Sequence, residues 1–183
     1  MSFFTVGHST RSLDELVALL HEHEVTLLAD VRTVPGSRRM PHFSRASLAS
    51  ALPERGIGYV HMPALGGLRQ PRPNSVNLAW RNMSFRGYAD YMAQPEFRSG
   101  IAELIELGRN ASVAIMCAEA VPWRCHRSLI ADALLIRGIA ACHILAPGRS
   151  QLHRLTPFAG SNGDRLTYPI QEGNSSIDSR LNG

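Results

Sequence analysis

The strongest constraint on the fold is a regular alternation of short apolar runs with amphipathic segments along the chain. Five runs have the length and composition of buried strands: FFTVG at 3–7, VTLLADV at 25–31, IGYVHM at 57–62, SVAIM at 112–116 and ACHIL at 141–145. Strands that alternate with helices predict an α/β protein in which helices cover both faces of the sheet. We therefore expect a three-layer Rossmann-like or flavodoxin-like domain with a mostly parallel sheet of about five strands.

The clearest helix begins at Ser12. Ser12 and Glu15 have the spacing of a capping box, and leucines repeat behind them at helical intervals. This pattern predicts a helix over 12–24. Further helical segments are predicted at 44–52, at 88–107 with a break near 94–95, and from about 125 to 137.

A chain of 183 residues is about the size of one domain. Residues 1–146 are predicted to form a single α/β domain. Residues 147–183 are polar and rich in Gly, Ser and Asn, so we expect a partly irregular or disordered C-terminal extension with at most a short strand near 166–170. The Gly-, Pro- and Asn-rich segment 63–86 is predicted to be a long loop, and long loops in compact domains are often functional.

Composition excludes two classes of chemistry. All 19 basic side chains are arginine, so the chain has no Schiff-base lysine and no P-loop lysine. A net charge of +4 suits an anionic partner. No apolar run reaches the roughly 20 residues that span a bilayer, and the start of the chain lacks a signal-peptide pattern. We expect a cytoplasmic protein with no membrane partner, in which the three cysteines are thiols.

Polar side chains follow four of the predicted strands. Because ligands of parallel sheets bind beyond the carboxyl ends of the strands, we expect these residues to share one edge. They are His8 and Ser9 after the first strand, Asp30 and Arg32 after the second, His61 at the end of the third, and Cys117 and Glu119 after the fourth. By contrast, His143 and His153 carry no such signal and are interpreted as structural.

The segment CAEAVPWRCHR at 117–127 concentrates the most reactive chemistry. Cys125, His126 and Arg127 fall in the first turn of the following predicted helix, where amide groups and the helix dipole favour an anion and lower the pKa of a nearby thiol. Arg124 and Arg127 offer bidentate donors for phosphate or carboxylate. The alternative is that Cys117 and Cys125 are ordinary core thiols and that the arginines pair with Glu119 or Asp132.

Two further binding modes are open. The segment 32–45, which contains Arg38, is either an electropositive flap for a phosphate or nucleic-acid backbone or a solvated basic loop. Histidines and cysteines near the sheet edge are competent metal ligands. The chain lacks CxxC and HxxxH spacing, however, so no metal and no cofactor is assigned.

Five ordered motifs resemble the DUF488 family, a domain of unknown function. They are GHSTRSLDEL, LLADVRTVPGSRR, GIGYVHMPALGG, FRGYADYM and VAIMCAEAVPWRCHRSLIADAL. The resemblance runs from about Thr5 to Leu145. It implies an α/β fold and gives as motif positions Gly7, His8, Ser9, Asp30, Arg32, Arg38, Cys117, Glu119, Cys125, His126 and Arg127. It implies no reaction.

The leading hypothesis is an enzyme of transferase or hydrolase type that acts on a small or nucleotide-like, phosphate-bearing anion. Cys117 is the first candidate nucleophile, with His8 or Glu119 as general base and acid and Asp30 as an orienting group. The predicted substrate-binding residues are Ser9, Arg32, Arg38, Arg124, Cys125, His126 and Arg127. The alternatives are a nucleic-acid-binding module that uses the 32–45 loop, and a protein whose His and Cys residues hold a metal or cofactor. The sequence does not specify an oligomeric state.

Overall fold

The sheet at the centre of the protein has six strands. The computed structural model describes residues 1–36 and 39–170. The strands are β1 (Ser2–Gly7), β2 (Leu27–Asp30), β3 (Gly58–His61), β4 (Ser112–Cys117), β5 (Ala141–Ala146) and β6 (Arg149–Leu152), in the spatial order β3-β2-β4-β1-β5-β6. The first five are parallel and β6 is antiparallel to β5. The predicted mostly parallel α/β sheet is confirmed.

Within the described residues, five α-helices connect the strands: α1 (Leu13–Glu22), α2 (Arg45–Ala51), α3 (Met83–Tyr91), α4 (Pro95–Asn110) and α5 (Arg127–Leu135). The capping box at α1 is confirmed, since Ser12 Oγ accepts from Glu15 N and Ser12 N donates to Glu15 Oε2. The predicted break near residue 94 is also confirmed, because α4 begins at Pro95. Helix α3 begins five residues earlier than predicted because the Asn82 side chain caps its first turn.

The helices form two layers, one on each face of the sheet. Helices α1 and α2 bury leucines such as Leu16, Leu20 and Leu48 on one face, called here the α1–α2 face. Helices α3, α4 and α5 bury residues such as Phe97 and Leu129 on the other, called the α3–α5 face. The three-layer arrangement is confirmed. Strand β4 supplies both cores alternately, since successive side chains of a strand point to opposite faces.

The segment from 147 to 170 contains more regular structure than its sequence indicates. Besides β6, it forms a hairpin of β7 (Gly160–Asn162) and β8 (Arg165–Thr167), and Leu166 and Tyr168 join the core of the α3–α5 face. All four residues of β6 are exposed, so its polar sequence reflects an edge position and lacks the alternation that marks a half-buried strand. Residues 171–183, the last part of the extension predicted over 147–183, lie outside the described residues. Within the described part of the chain, no helix has the length and apolar character needed to span a membrane.

Candidate functional site

The carboxyl ends of β1, β2 and β4 meet at one edge of the sheet. Gly7 lies opposite Cys117 in the β1–β4 register, and Asp30 lies opposite Met116 in the β2–β4 register. The pairing continues past the strand ends, where His8 N donates to Cys117 O at 2.9 Å and Val31 N donates to Met116 O at 3.0 Å. The segments that sequence analysis assigned to a common edge are therefore adjacent.

Their side chains nevertheless separate into two clusters. Cys117 packs into the core of the α3–α5 face together with Cys125. His8 stacks on Phe43, which belongs to the core of the opposite face, with ring centroids 4.3 Å apart. We call the first group the thiol cluster (Cys117, Cys125, His126 and Arg127) and the second the Asp30 cluster (His8, Asp30, Arg32 and Tyr59).

In the thiol cluster, the two sulfur atoms and one ring nitrogen of His126 all lie within 4.8 Å of one another. His126 Nδ1 is 3.7 Å from Cys125 Sγ, and His126 Nε2 is 3.2 Å from Val31 O. A carbonyl oxygen only accepts hydrogen bonds, so Nε2 carries the proton. In the neutral imidazole, the lone pair of Nδ1 therefore faces the Cys125 sulfur.

Arg127 brings a buried positive charge to the same sulfur. Its side chain is only 1% exposed, and its Nε donates to Cys125 Sγ at 3.3 Å while its NH2 group donates to Glu119 O at 2.6 Å. No carboxylate of the described residues forms an ion pair with Arg127. A buried guanidinium without a carboxylate favours a negative charge on the group that accepts its hydrogen bond, and here that group is the sulfur of Cys125.

The two thiols are consequently unequal. A hydrogen bond from Cys117 lowers the pKa of Cys125 well below its ordinary value, and His126 and Arg127 add to this effect against the opposing effect of burial. The same hydrogen bond, together with burial, raises the pKa of Cys117. The arrangement thus favours a thiolate at Cys125 and a protonated thiol at Cys117.

A pocket of about 250 Å³ opens beside the two sulfurs. Exposed Glu119 and Arg124 line its rim, and Tyr88 contacts the His126 ring at a centroid distance of 4.9 Å. At Gly67, an added Cβ would lie 3.0 Å from His126 Nδ1, so the absence of a side chain there leaves space around that nitrogen. The full lining is Gly67, Leu68, Ser84, Phe85, Tyr88, Cys117, Glu119, Arg124, Cys125 and His126.

The family model for DUF488, a domain of unknown function, matches residues 12–134. This chain is a member of the DUF488 family. The matched region includes the whole segment 117–127 and most of α5, so the thiol cluster and its pocket belong to the family domain. No curated protein and no solved structure matches the chain.

Gly7 and Ser9, which precede the matched region, shape the loop that carries the thiols. An added Cβ at Gly7 would lie 1.9 Å from Glu119 O, so only glycine permits this approach of the backbone. Ser9 N donates to Ala118 O at 2.9 Å, and Ser9 holds a positive φ of 49°. Both residues position the 117–120 backbone rather than presenting side chains to the pocket.

The Asp30 cluster is closed by its own hydrogen bonds. Asp30 accepts from Arg32 N, from Arg32 Nε at 2.8 Å and from Tyr59 OH at 2.8 Å. Arg32 also donates to Phe43 O at 2.8 Å, and its NH1 lies 3.3 Å from His8 Nε2. Burial lowers the pKa of His8 to about 4, so His8 is neutral and able to accept from Arg32. Neither His8, Asp30 nor Arg32 lines the pocket, and Arg38 lies outside the described residues.

Several residues that complete these clusters carry no distinctive signal in the sequence. Tyr59 lies inside strand β3, and an aromatic residue at such a position is common in strands and does not indicate a contact with Asp30. Gly67 and Leu68 belong to the long loop, which was expected to be functional, although its pattern did not single them out. Tyr88 follows the long loop; its hydroxyl donates to Leu65 O at 2.8 Å, and its ring forms one wall of the pocket.

Proposed function

We propose that this DUF488 protein is a cysteine-dependent enzyme of transferase or hydrolase type that acts on a small anionic substrate at the thiol cluster. One observation carries the proposal: the guanidinium of Arg127, the thiol of Cys117 and the basic Nδ1 of His126 converge on the sulfur of Cys125 beside an open pocket. Such convergence is how proteins activate a cysteine nucleophile.

Cys125 is the better candidate for the attacking atom, although the sequence puts Cys117 first. Arg127 and His126 contact Cys125, and Cys117 acts as its hydrogen-bond donor. His126 replaces His8 as the proposed general base because Nδ1 faces the sulfur and Val31 O holds the opposite N–H. Glu119 keeps its predicted role as a proton donor or acceptor at the rim, where it is exposed.

The proposed reaction balances with groups of this chain. The thiol proton of Cys125 passes to His126 Nδ1, and the sulfur forms a bond to an electrophilic carbon or phosphorus of the substrate while the leaving-group bond breaks. The leaving group takes the proton from His126. Water in a hydrolase, or an acceptor hydroxyl in a transferase, then attacks the thioester or thiophosphate and gives its proton to His126 while the bond to sulfur breaks. His126 returns this proton to the sulfur, which restores the Cys125 thiol.

The anionic character of the substrate is supported by the charges around the pocket. Arg124 lines the rim, Arg127 lies behind Cys125, and the amino end of α5 is adjacent. A pocket of about 250 Å³ is smaller than the roughly 300–1,000 Å³ of sites for drug-sized ligands, which favours a small substrate or the phosphate-bearing end of a nucleotide.

Alkylation tests this proposal directly. The full-length protein is treated with iodoacetamide at pH 6.5, and the labelling rate of each cysteine is measured by peptide mass spectrometry. We expect Cys125 to react at least about ten times faster than Cys142, a half-buried thiol away from the pocket. Inorganic phosphate should slow the labelling of Cys125 only. Equal rates for the two residues up to pH 8 would contradict the proposal.

The nucleic-acid alternative depends on the 32–45 segment. Arg32 contributes little surface charge, since its side chain is 8% exposed and bound to Asp30. Binding to DNA or RNA that weakens steeply with salt would support this alternative. The variant Arg124→Ala separates it from catalysis, because Arg124 lies outside the 32–45 segment and its loss should leave the salt slope of binding through that segment unchanged.

A further inference from the structure

We infer that Cys117, Cys125 and His126 also form a binding site for a thiophilic divalent cation of the zinc type, with one coordination position open to the pocket. The inference deepens the proposed function, because it assumes the same pocket and makes the cation a regulator of the nucleophile. A bound cation occupies the Cys125 sulfur, so the loaded protein is the protected form and the metal-free protein is the reactive form.

The spacing of the three ligand atoms fits tetrahedral coordination. With a Zn–S bond of about 2.3 Å and a Zn–N bond of about 2.0–2.1 Å, tetrahedral angles place S and N ~3.6 Å apart and two sulfurs ~3.8 Å apart. Cys125 Sγ and His126 Nδ1 are 3.7 Å apart, and all three ligand atoms lie within 4.8 Å of one another. Side-chain movements of at most about 1 Å would complete the geometry.

His126 is oriented as a metal-binding histidine is. One ring nitrogen, Nδ1, faces the cysteine sulfur, and the other, Nε2, donates to Val31 O at 3.2 Å. A histidine ligand characteristically donates its second N–H to a carbonyl or carboxylate, which fixes the ring and the tautomer. Gly67 leaves the space beside Nδ1 free of a side chain.

The ligand types indicate which cation the site favours, and the local charge indicates which fourth ligand would bind in the open position. Two thiolates and one imidazole suit Zn²⁺ rather than Mg²⁺ or Ca²⁺, which prefer oxygen. Two thiolates neutralise a divalent cation, and buried Arg127 adds one positive charge within hydrogen-bond distance of Cys125 Sγ. An anion in the open fourth position would balance that charge.

Metal titration of the full-length, untagged protein tests the inference. Chelator-treated protein is titrated with Co²⁺, with sulfur-to-cobalt charge-transfer absorption as the readout, and with Zn²⁺ by calorimetry. We expect one cation per chain. Cys125→Ser and His126→Ala should each weaken binding by more than about 100-fold, since losses in the outer shell alone cost 10–100-fold. Cys142→Ser is the matched control and should bind normally.

Alkylation of the same samples separates this inference from the proposed function. If Cys125 is reactive without metal and protected by Zn²⁺, both proposals stand. If Cys125 is reactive but no Zn²⁺ binds, the metal site is overturned and the proposed function survives. If Zn²⁺ binds but metal-free Cys125 reacts no faster than Cys142, the proposed function fails and the metal site survives. Zn²⁺ binding that persists in Cys125→Ser overturns the metal site. Circular dichroism shows whether a variant is unfolded. If it is, protection of Cys125 from alkylation by Zn²⁺ in the unmodified protein decides whether the metal site exists.

Discussion

Two buried polar clusters in this protein have opposite characters. The Cys125 sulfur of the thiol cluster adjoins the pocket, whereas in a second cluster the shared acceptor Asp132 is fully buried and its partners His143, His153 and Thr156 line a separate pocket of about 330 Å³. Asp132 accepts hydrogen bonds from His153 Nε2 at 2.8 Å, Thr156 Oγ1 at 2.6 Å and Tyr168 OH at 2.9 Å. His143 continues the chain through a 3.0 Å contact with His153. We call this second group the Asp132 network.

The Asp132 network uses all its hydrogen-bonding capacity internally. Thr5 donates to His143 Nδ1, His143 Nε2 donates to His153 Nδ1, and His153 Nε2 donates to Asp132, so one consistent set of tautomers satisfies every ring nitrogen. The network joins α5 to the segment after β6. In the thiol cluster, by contrast, the Cys125 sulfur adjoins the pocket. Both clusters therefore reach a pocket, but the ring nitrogens of His143 and His153 are all held by internal hydrogen bonds, whereas the Cys125 sulfur combines access to its pocket with the neighbouring His126 and Arg127.

The largest effect is expected for Cys125→Ala, which should lower turnover far more than it lowers stability. Cys125→Ala should abolish cysteine-dependent turnover, by about 1,000-fold or more if Cys125 forms a covalent intermediate. The free energy of unfolding should fall by about 1–3 kcal/mol, because a buried sulfur is removed and the buried Arg127 Nε loses its acceptor. Turnover is measured with a phosphate-ester panel, and stability by urea denaturation, with Cys142→Ala as the control. Retained turnover would remove Cys125 from the chemistry.

Asp132→Ala should have the opposite effect, a large loss of stability without a change in cysteine reactivity. It leaves His153, Thr156 and Tyr168 without their shared acceptor in a fully buried position, and we expect a loss of about 3–5 kcal/mol in unfolding free energy. The ratio of Cys125 to Cys142 alkylation rates in the folded protein should stay unchanged. A smaller ratio would mean that the two clusters are coupled through α5.

Acid should weaken the Asp132 network through His143. Burial lowers the pKa of His143 to about 4 from its ordinary 6.5, and His153 adds to the effect. Between these values the unfolded chain binds the proton and the folded chain does not, so stability falls as pH drops from 6.5 to 4 and is constant above that range. The loss is at most about 3 kcal/mol.

Thermal unfolding at several pH values, compared between the unmodified protein and His143→Gln, measures this contribution. The variant should have a flatter dependence between pH 6.5 and 4, although its stability at pH 7 will be lower because a network bond is lost. An identical slope in the two proteins would assign the acid sensitivity to other groups, such as His8.

The smallest effect is expected at Gly67→Ala. The new Cβ would lie 3.0 Å from His126 Nδ1, so the ring must move by a few tenths of an ångström. We expect a several-fold lower alkylation rate at Cys125 and a change in unfolding free energy below about 1 kcal/mol. Gly36→Ala, which meets nothing within 4 Å, is the matched control.

The sequence predicted the fold and the sheet edge well because both depend on long apolar patterns. Five strands, the α1 capping box and the order of elements follow from periodicity alone. The structure of segment 147–170 does not follow from periodicity, because an exposed edge strand and a short hairpin have no apolar alternation. Tyr168 enters the core from this segment, and a single aromatic residue in a polar context carries no signal of burial.

The site was predicted only in part because strand register decides which face a side chain occupies. Asp30 lies opposite Met116, one residue before Cys117, and a shift of one residue reverses the face. Sequence patterns locate strand ends with an error larger than one residue. Sequence patterns therefore predict that the strand ends share one edge of the sheet. They do not predict that the side chains of His8 and Asp30 lie on the opposite face from the thiols. The contact of His126 with Cys125 depends on the backbone turn before α5, which no periodicity specifies.

The outer strand of the sheet also bears on how the molecule behaves among its own copies. Strand β6 has only four residues, begins with Arg149 and is exposed throughout. Short, charged border strands are poor templates for pairing with another chain, so this margin discourages the growth of a continuous intermolecular sheet. The polar composition of β6, which made the strand unrecognisable in the sequence, thus also disfavours aggregation through this edge of the sheet.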